Sequence, residues 1–314
     1  MATDNHILVT GGAGYLGSVM CEHLLDAGHR VTVIDNLMYD QESLFHLCAN
    51  PAFDFVRGDV RDETVMQRLI EGADVIIPLA AIVGAPACDR DPWLATSVNQ
   101  DAVRLINRFR SSQQLVVFPV TNSGYGAKSG DVHCTEESPL EPISLYGRTK
   151  VAAEAILLDS PNAMTLRLAT VFGFSPRMRL DLLVNHFTYA AVTDGYLVLF
   201  EKEFKRNFVH IRDVADCFLH AIENSDQMVG RPYNVGLDSA NMSKEELALT
   251  IRRQVPNLVI HCSDIGKDPD KRNYIVSNQR LREAGFEASR SLDDGVAELV
   301  RGYRMLARDR FQNV

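Results

Sequence analysis

Through its first half the chain alternates short, almost uninterrupted apolar runs with longer stretches whose apolar residues recur at helical spacing. The runs near 6–10, 31–35, 53–57, 74–79, 115–120 and 163–168 predict strands, and the stretches near 15–27, 41–49, 62–70, 92–111 and 144–159 predict helices. Strands that are apolar at nearly every position must be covered on both faces, which calls for a parallel sheet with helices on each side. Right-handed crossovers then stack these units into one doubly wound α/β sheet of Rossmann type. Beyond about residue 173 the rhythm changes. Charged clusters at 177–179 and 202–206 interrupt the apolar segments, and 207–211 and 231–235 read as further short strands. The expected division is residues 1–173 plus about 207–235 for the sheet domain. A smaller, discontinuous substrate-binding lobe is expected from about 174–206 plus 236–314.

The first strand runs straight into Gly11, Gly14 and Gly17, with Tyr15 and Leu16 inside the same turn. Gly11 permits the tight turn, Gly14 lets the backbone approach a diphosphate, and Gly17 lets the following helix pack closely with its N–H groups toward negative charge. A glycine triplet alone is weak evidence. It gains weight because the second strand follows at the βαβ distance and ends at Asp35, beside Asn36, the position of an acid that accepts adenosine ribose hydroxyls. A carboxylate there repels an added 2′-phosphate, so the expected cofactor is NAD rather than NADP.

At 314 residues and 46% hydrophobic content the chain can bury a large core in one or two domains. Its net charge of −9, with lysines and arginines scattered, offers no general attraction for nucleic acid or an anionic membrane. Any anion must therefore be bound locally. The six cysteines form no Cys-x-x-Cys pair and no zinc spacing, and are expected to be reduced thiols. No signal-peptide pattern precedes the first strand, and no apolar run reaches about 18 residues, so the cytoplasm is the expected location. The histidines lack metal-ligand spacing, no metal site is expected, and His210 reads as a strand residue with a structural hydrogen bond.

On the helix near 144–159, Tyr146 and Lys150 stand four apart and so share a face, one turn above each other. A cation close to a phenol favours the phenolate, which lets a tyrosine that normally ionises near pH ~10 act as an acid or base nearer neutrality. The same spacing occurs by chance on many solvated helices, and the nucleotide-binding strand is what raises its weight.

The glycine turn, Asp35 and the Tyr146–Lys150 pair together resemble the extended short-chain dehydrogenase/reductase family, and the resemblance covers nearly the whole chain. It implies a nucleotide-sugar epimerase, dehydratase or dehydrogenase. By this resemblance Lys150 also bonds the nicotinamide ribose, and a hydroxyl residue after the fifth strand steadies the substrate hydroxyl. Thr121 is the preferred candidate, with Ser123 the alternative. The family's 4,6-dehydratases carry Asp-Glu after this hydroxyl, whereas this chain has Asn122 and Ser123, which supply no titratable proton. Asp59 and Val60 resemble the adenine-holding segment. Leu79, Ala80 and Ala81 resemble the apolar strip beside the cofactor, with Pro78 replacing a frequent histidine. Asn99 matches a helix-interrupting asparagine, and Val171 a wall of the nicotinamide face. Thr170 stands where many relatives have Asn. Substrate contacts are expected from Val83, Thr121, Asn122, Ser123, Arg177, Arg179, Arg206 and Arg272, the arginines offsetting the sugar diphosphate by forked hydrogen bonds.

The segments 80–86 and 167–180 look similar to the GDP-heptose 4-dehydrogenase subgroup of capsule biosynthesis. The leading expectation is thus NAD-dependent oxidation at carbon four of a nucleotide-linked sugar, GDP-D-glycero-α-D-manno-heptose or a related one. A 4-epimerase acting through a transient 4-keto sugar is the alternative. A non-catalytic NAD sensor is a third reading, weakened by the complete proton relay of Thr121, Tyr146 and Lys150. The helices near 92–111 and 144–159 match those that relatives pair in a dimer interface, and Val151, Ala155 and Leu158 form a helical stripe, so a homodimer or higher oligomer is expected.

Overall fold

Seven strands form the central sheet: β1 (His6–Thr10), β2 (Arg30–Asp35), β3 (Phe53–Arg57), β4 (Val75–Pro78), β5 (Leu115–Thr121), β6 (Ala163–Leu168) and β7 (Pro232–Val235). In this computed structural model, which describes residues 4–126, 133–263 and 275–306, they lie in the order β7-β6-β5-β4-β1-β2-β3. Every pairing among them is parallel. The alternation of side chains divides the core in two. Ile7, Val9, Val31, Val33 and Ile77 pack with Met20, Leu24, Val214 and Phe218 on one face, while Leu8, Ile34, Ile76 and Phe118 pack with Met66, Ile106 and Leu157 on the other. The helices carrying these partners are α1 (Tyr15–Asp26), α2 (Glu63–Glu71), α3 (Ala102–Phe109), α4 (Leu145–Leu158) and α5 (Ile211–Glu223). The strand order reverses between β1 and β4, which opens a crevice at the carboxyl ends of the strands.

Three expectations about elements are corrected. The stretch 41–49 is a loop with one 3-10 turn, Phe45–Leu47. Its only apolar demand is to bury Leu44 and Leu47, which a single turn satisfies, and Pro51 follows closely. The helix expected at 92–111 begins at Pro92, passes through a π turn at Ser97–Asp101 and continues as α3, after a separate short helix at Ala85–Arg90. The strand expected at 207–211, Lys205–His210, does not return to the main sheet. Both edges of β6 are occupied, by β5 and β7, so this strand pairs instead with Thr170–Phe172 and, antiparallel, with Asn241–Ser243. Only α5 and β7 of the 207–235 segment join the main sheet layers.

The smaller lobe adds the helices Leu183–Thr193 and Lys244–Gln254, the parallel pair Tyr196–Leu199 and Val259–Cys262, and the helix α6 (Leu292–Tyr303). His210 ties it down. One ring nitrogen accepts from the Arg212 N–H at the start of α5 (3.3 Å), and the other meets Glu298 of α6 at 3.1 Å. Among the described residues no helix is long and apolar enough to cross a membrane.

A buried polar network holds α4 against the sheet. Arg167 of β6 donates to Glu154 of α4 through Nε and Nη2 (both 3.0 Å), and through Nη1 to the Tyr125 hydroxyl and the Glu136 carbonyl (both 3.1 Å). Tyr125 donates onward to Asn234 of β7 (2.6 Å), whose amide nitrogen reaches the Ser277 carbonyl (3.0 Å). Burial alone would lower the Arg167 pKa, but the bonds and charge of Glu154 hold it above its ordinary value. Replacing Arg167 by Met leaves the Glu154 carboxylate buried without its cation, at an expected cost of about 3–5 kcal/mol in urea unfolding. The double variant with Glu154→Leu is expected to recover most of that loss, since it removes both charges together. Equal midpoints for single and double variants would deny the pair this role.

Candidate active site

The crevice between the sheet and the lobe is a cavity of about 1010 Å³. The glycine turn forms its floor. Gly11 has a φ of 70°, and a Cβ there would stand 2.6 Å from the backbone of Ala80, so only glycine lets the turn after β1 meet the turn after β4. A Cβ on Gly17 would likewise meet Gly12 at 2.6 Å. Gly14 is the N-cap of α1 and supplies no side-chain cap, which leaves the first-turn N–H groups of the helix to an anion. These features fit a dinucleotide diphosphate.

Asp35, 8% exposed, ends β2 beside this turn. Its carboxylate accepts from the N–H groups of Leu37 (2.8 Å) and Ala13 (3.1 Å). Burial raises its pKa, and those two N–H groups oppose the rise. Asp59 lines the same end. Arg61 forks onto it, Nε to Oδ1 at 2.8 Å and Nη2 to Oδ2 at 2.7 Å, and holds its carboxyl below the usual carboxylate range, with Asn36 adding a further hydrogen bond. Val60, Leu79, Ala80, Ala81 and Val83 complete this side of the lining, with Leu16 at the start of α1.

Asn99, expected among the cofactor contacts, is instead buried behind the cleft. From the π turn its side chain accepts from the Ile82 N–H (2.8 Å) and donates to the Ile82 carbonyl (3.0 Å) and Thr149 hydroxyl (3.3 Å). It clips the strip 79–83 to α4. Tyr15 lines the cleft, but its hydroxyl donates to the Gly173 carbonyl (2.8 Å) and accepts from Asn185 (3.1 Å).

The candidate reactive groups, Tyr146, Lys150, Thr121 and Ser123, line the same cleft. Ser144 caps α4, accepting from the Gly147 N–H at 3.1 Å, and so places Tyr146 in its first turn with Lys150 one turn on. Lys150 is 3% exposed, and its Nζ lies 3.8 Å from the centroid of the Phe118 ring. Burial pushes its pKa down to about 7, with the Glu154 charge pulling it back up. At the end of β5, Thr121 donates to the Ser123 hydroxyl at 2.9 Å and accepts from the Ser123 N–H at 3.1 Å. The two candidate hydroxyls thus form one hydrogen-bonded pair in the cleft lining, with Asn122 between them and Val171 on the wall after β6.

The cations come from the lobe side. Arg206, 5% exposed, enters from the Lys205–His210 strand. Arg179 pairs with Asp181 through Nε at 3.0 Å and a second bond from Nη2. Burial would lower the Arg179 pKa, but Asp181, with smaller contributions from the phenols of Tyr146 and Tyr15, raises it. Arg177 also lines the cleft, whereas Arg272 lies outside the described residues. The cleft further contains Tyr39, Asp181 and His186, and Asp59 is held there by Arg61; sequence reading singled out Asp59 but not the other four. The spacing of Arg179 and Asp181 was the one available signal for that pair; Tyr39 gave none beyond an aromatic residue shortly after Asp35.

The comparisons with known proteins agree with this geometry. A family model described as "NAD dependent epimerase/dehydratase family" matches residues 7–236. The uncharacterized UDP-glucose epimerase YtcB of Bacillus subtilis (strain 168) is 31% identical over 321 residues, covering 94% of this chain and 96% of that protein. The UDP-glucose 4-epimerase of Mycolicibacterium smegmatis is 29% identical over 313 residues, covering 95% and 98%. Among solved structures, the dTDP-glucose 4,6-dehydratase DesIV from Streptomyces venezuelae, with NAD and TYD bound, matches with a TM-score of 0.83 at 25% identity, covering 95% of this chain and 97% of that one. The family model spans well over half of the chain, and the protein therefore belongs to the NAD dependent epimerase/dehydratase family.

Proposed function

We propose that this chain oxidises carbon four of a nucleotide-linked sugar, with a GDP-linked heptose of the D-glycero-α-D-manno type, or a related sugar, as substrate. The observation that carries the reading is the convergence of Tyr146, Lys150 and the Thr121–Ser123 pair on one cleft whose floor is the glycine turn and whose far end holds Asp35. When bound, NAD supplies the hydride acceptor. Tyr146 takes the proton of the carbon-four hydroxyl, Thr121 orients that oxygen, and the apolar strip at 79–83 keeps water from the reacting centre. Lys150, when charged, favours the phenolate of Tyr146. Arg206 offsets the sugar diphosphate from the lobe side. Asn122 and Ser123, in place of an Asp-Glu pair, disfavour dehydration by the carboxyl route.

The second reading, a 4-epimerase that returns hydride to the opposite face of the 4-keto sugar, is supported by the UDP-glucose epimerases among the similar proteins. The two readings share the oxidation step and differ in what leaves the cleft. Incubation of the NAD-supplied protein with GDP- and UDP-linked hexoses and heptoses, read by NADH absorbance and NMR of the sugar, separates them. A ketone with NADH is the expected result, and an epimer without net NADH establishes the second reading. Tyr146→Phe is expected to lower kcat by about 10²–10⁴-fold, the range of a lost general acid or base. Undiminished turnover would remove Tyr146 from the mechanism, and NAD-dependent partner binding without turnover would favour a sensor.

Lys150 adds a prediction for stability. Its folded pKa of about 7 lies below the ordinary lysine value of about 10.4, so between those values the unfolded chain holds a proton that the folded chain does not. Stability therefore rises with pH across that window, and the full penalty is present below about pH 7. Lys150→Met should raise the Tm of the ligand-free protein at pH 6–7 by about 2–4 °C or more, with the difference fading toward pH 10. A difference independent of pH would mean that packing, not charge burial, is responsible.

We also propose a homodimer through the outer faces of α3 and α4. Ala155 is exposed between half-buried Val151 and Leu158 on α4, and Leu105 and Phe109 are half-buried on α3. Light scattering should give the mass of a dimer, and Ala155→Arg should shift it toward the monomer. A wild-type monomer at all concentrations contradicts the proposal.

A further inference from the structure

The loop after Asp35 turns through left-handed backbone at Leu37 (φ 54°) and Asp40 (φ 50°), and Tyr39 between them reaches the rim of the cleft. From the opposite wall Arg177, 8% exposed, sets its guanidinium carbon 5.2 Å from the centroid of the Tyr39 ring. The segment carrying Arg177 is fastened to the first turn of α1. Ser175 Oγ donates to the Tyr15 carbonyl (2.7 Å), lies 3.0 Å from Ser18 Oγ, and accepts from the Arg177 N–H (3.2 Å). Arg177 is thus tied to the helix end that follows Gly14, and faces the loop that follows Asp35. Both belong to the adenosine-diphosphate end of the cleft, whereas Arg206 enters from the lobe.

The Arg177 guanidinium donates through Nη1 to the Met178 carbonyl (2.6 Å), and the Tyr39 phenol and Asp181 carboxylate favour its charge. The Asp181 carboxylate is forked by Arg179, and Arg177 stands close enough to Arg179 for the two to repel. Burial first, and then Arg179, depress the Arg177 pKa. A diphosphate on the α1 turn would relieve that repulsion.

We propose that Arg177 is a cofactor residue: held against Tyr39 at the rim, its guanidinium is set against the diphosphate on the glycine turn rather than the adenosine, and so slows cofactor release. The assignment rests on the NAD reading above and moves Arg177 from the sugar nucleotide to the cofactor.

Calorimetry of the full-length protein, freed of nucleotide, with adenosine, ADP and NAD tests it. Adenosine probes the Asp35 end alone and serves as the control for folding. Arg177→Met is expected to weaken ADP and NAD about ten- to a hundredfold while leaving adenosine unchanged, and Arg177→Lys to recover part of the loss, since it keeps the charge without the fork. Tyr39→Leu is expected to speed NAD loss during gel filtration, measured as NAD released by acid from the recovered protein. Equal losses for adenosine and ADP would reduce Arg177 to a structural role and overturn the proposal. Unchanged ADP affinity with weakened UDP or GDP binding to the NAD-supplied protein would return Arg177 to the sugar nucleotide. Wild-type protein that binds none of the three probes would overturn the NAD reading and this proposal together, before any variant is compared.

Discussion

The Glu154–Arg167 pair is the contact on which the rest of the site depends. Tyr146, Lys150 and Glu154 follow one another at helical spacing on α4, so the rotation that points the first two into the cleft turns the third toward β6. There Arg167 fixes it from two nitrogens, and Thr165 donates a further hydrogen bond at 2.7 Å. A buried ion pair adds little net stability over an apolar replacement, but it penalises strongly any arrangement that separates its partners. Its value here is orientation. A slipped or rotated α4 would strand both charges, and this restriction reaches Tyr146 two turns away.

The same helix carries an opposing cost. Lys150 is buried against Phe118, and its amine is held near the edge of protonation at neutral pH. A group chosen only for stability would be apolar. The cleft therefore combines a tightly satisfied pair behind the reactive face with an uneasy cation on it, and the first keeps the second in place. At the far end the arrangement is reversed in sign, with Asp35 buried among N–H donors and half-buried Asp59 held by a guanidinium. Within the cleft the carboxylates thus suit ligand hydroxyls, while the helix turn beside them and the arginines suit diphosphates.

Much of this was legible in the sequence because the signals were local. Strands buried on both faces read as largely apolar runs, and β1 and β6 occupy the predicted residues, as does the half-exposed edge strand β3 with its alternating Phe53 and Phe55. Tyr146 and Lys150 were legible for the same reason, as one helical turn is a fixed spacing. The failures were non-local. Whether 205–210 joins the main sheet depends on β7 having filled the outer edge of β6, and β7 comes later in the chain. The loop at 41–49 had enough apolar residues for a helix, yet only Leu44 and Leu47 had a core to enter. Arg177 was recognisable as a candidate for meeting an anion, but its neighbour Tyr39 lies on the far side of the sequence and carries no pattern that joins the two. Asn99 was legible as an interruption of the helix, while its partner Ile82 was not.

That interruption has a consequence for which changes of length the chain can accept. The π turn at Ser97–Asp101 holds one residue more than an α turn of the same height. Deleting the extra residue would close the turn to regular α-helix with the flanking segments in much the same angular relation, and Asn99 would lose the wide turn that carries it to Ile82. A residue added to or removed from the regular helix beyond it would instead turn the segment before it by about 100° around the axis, and the short helix from Pro92 would present another side to the cleft. Substitutions here can be judged one residue at a time, but a change of helix length acts on everything upstream of it. The spacing from Ile82 to α3 is therefore a mechanical dimension of the site, held by residue count as much as by residue identity.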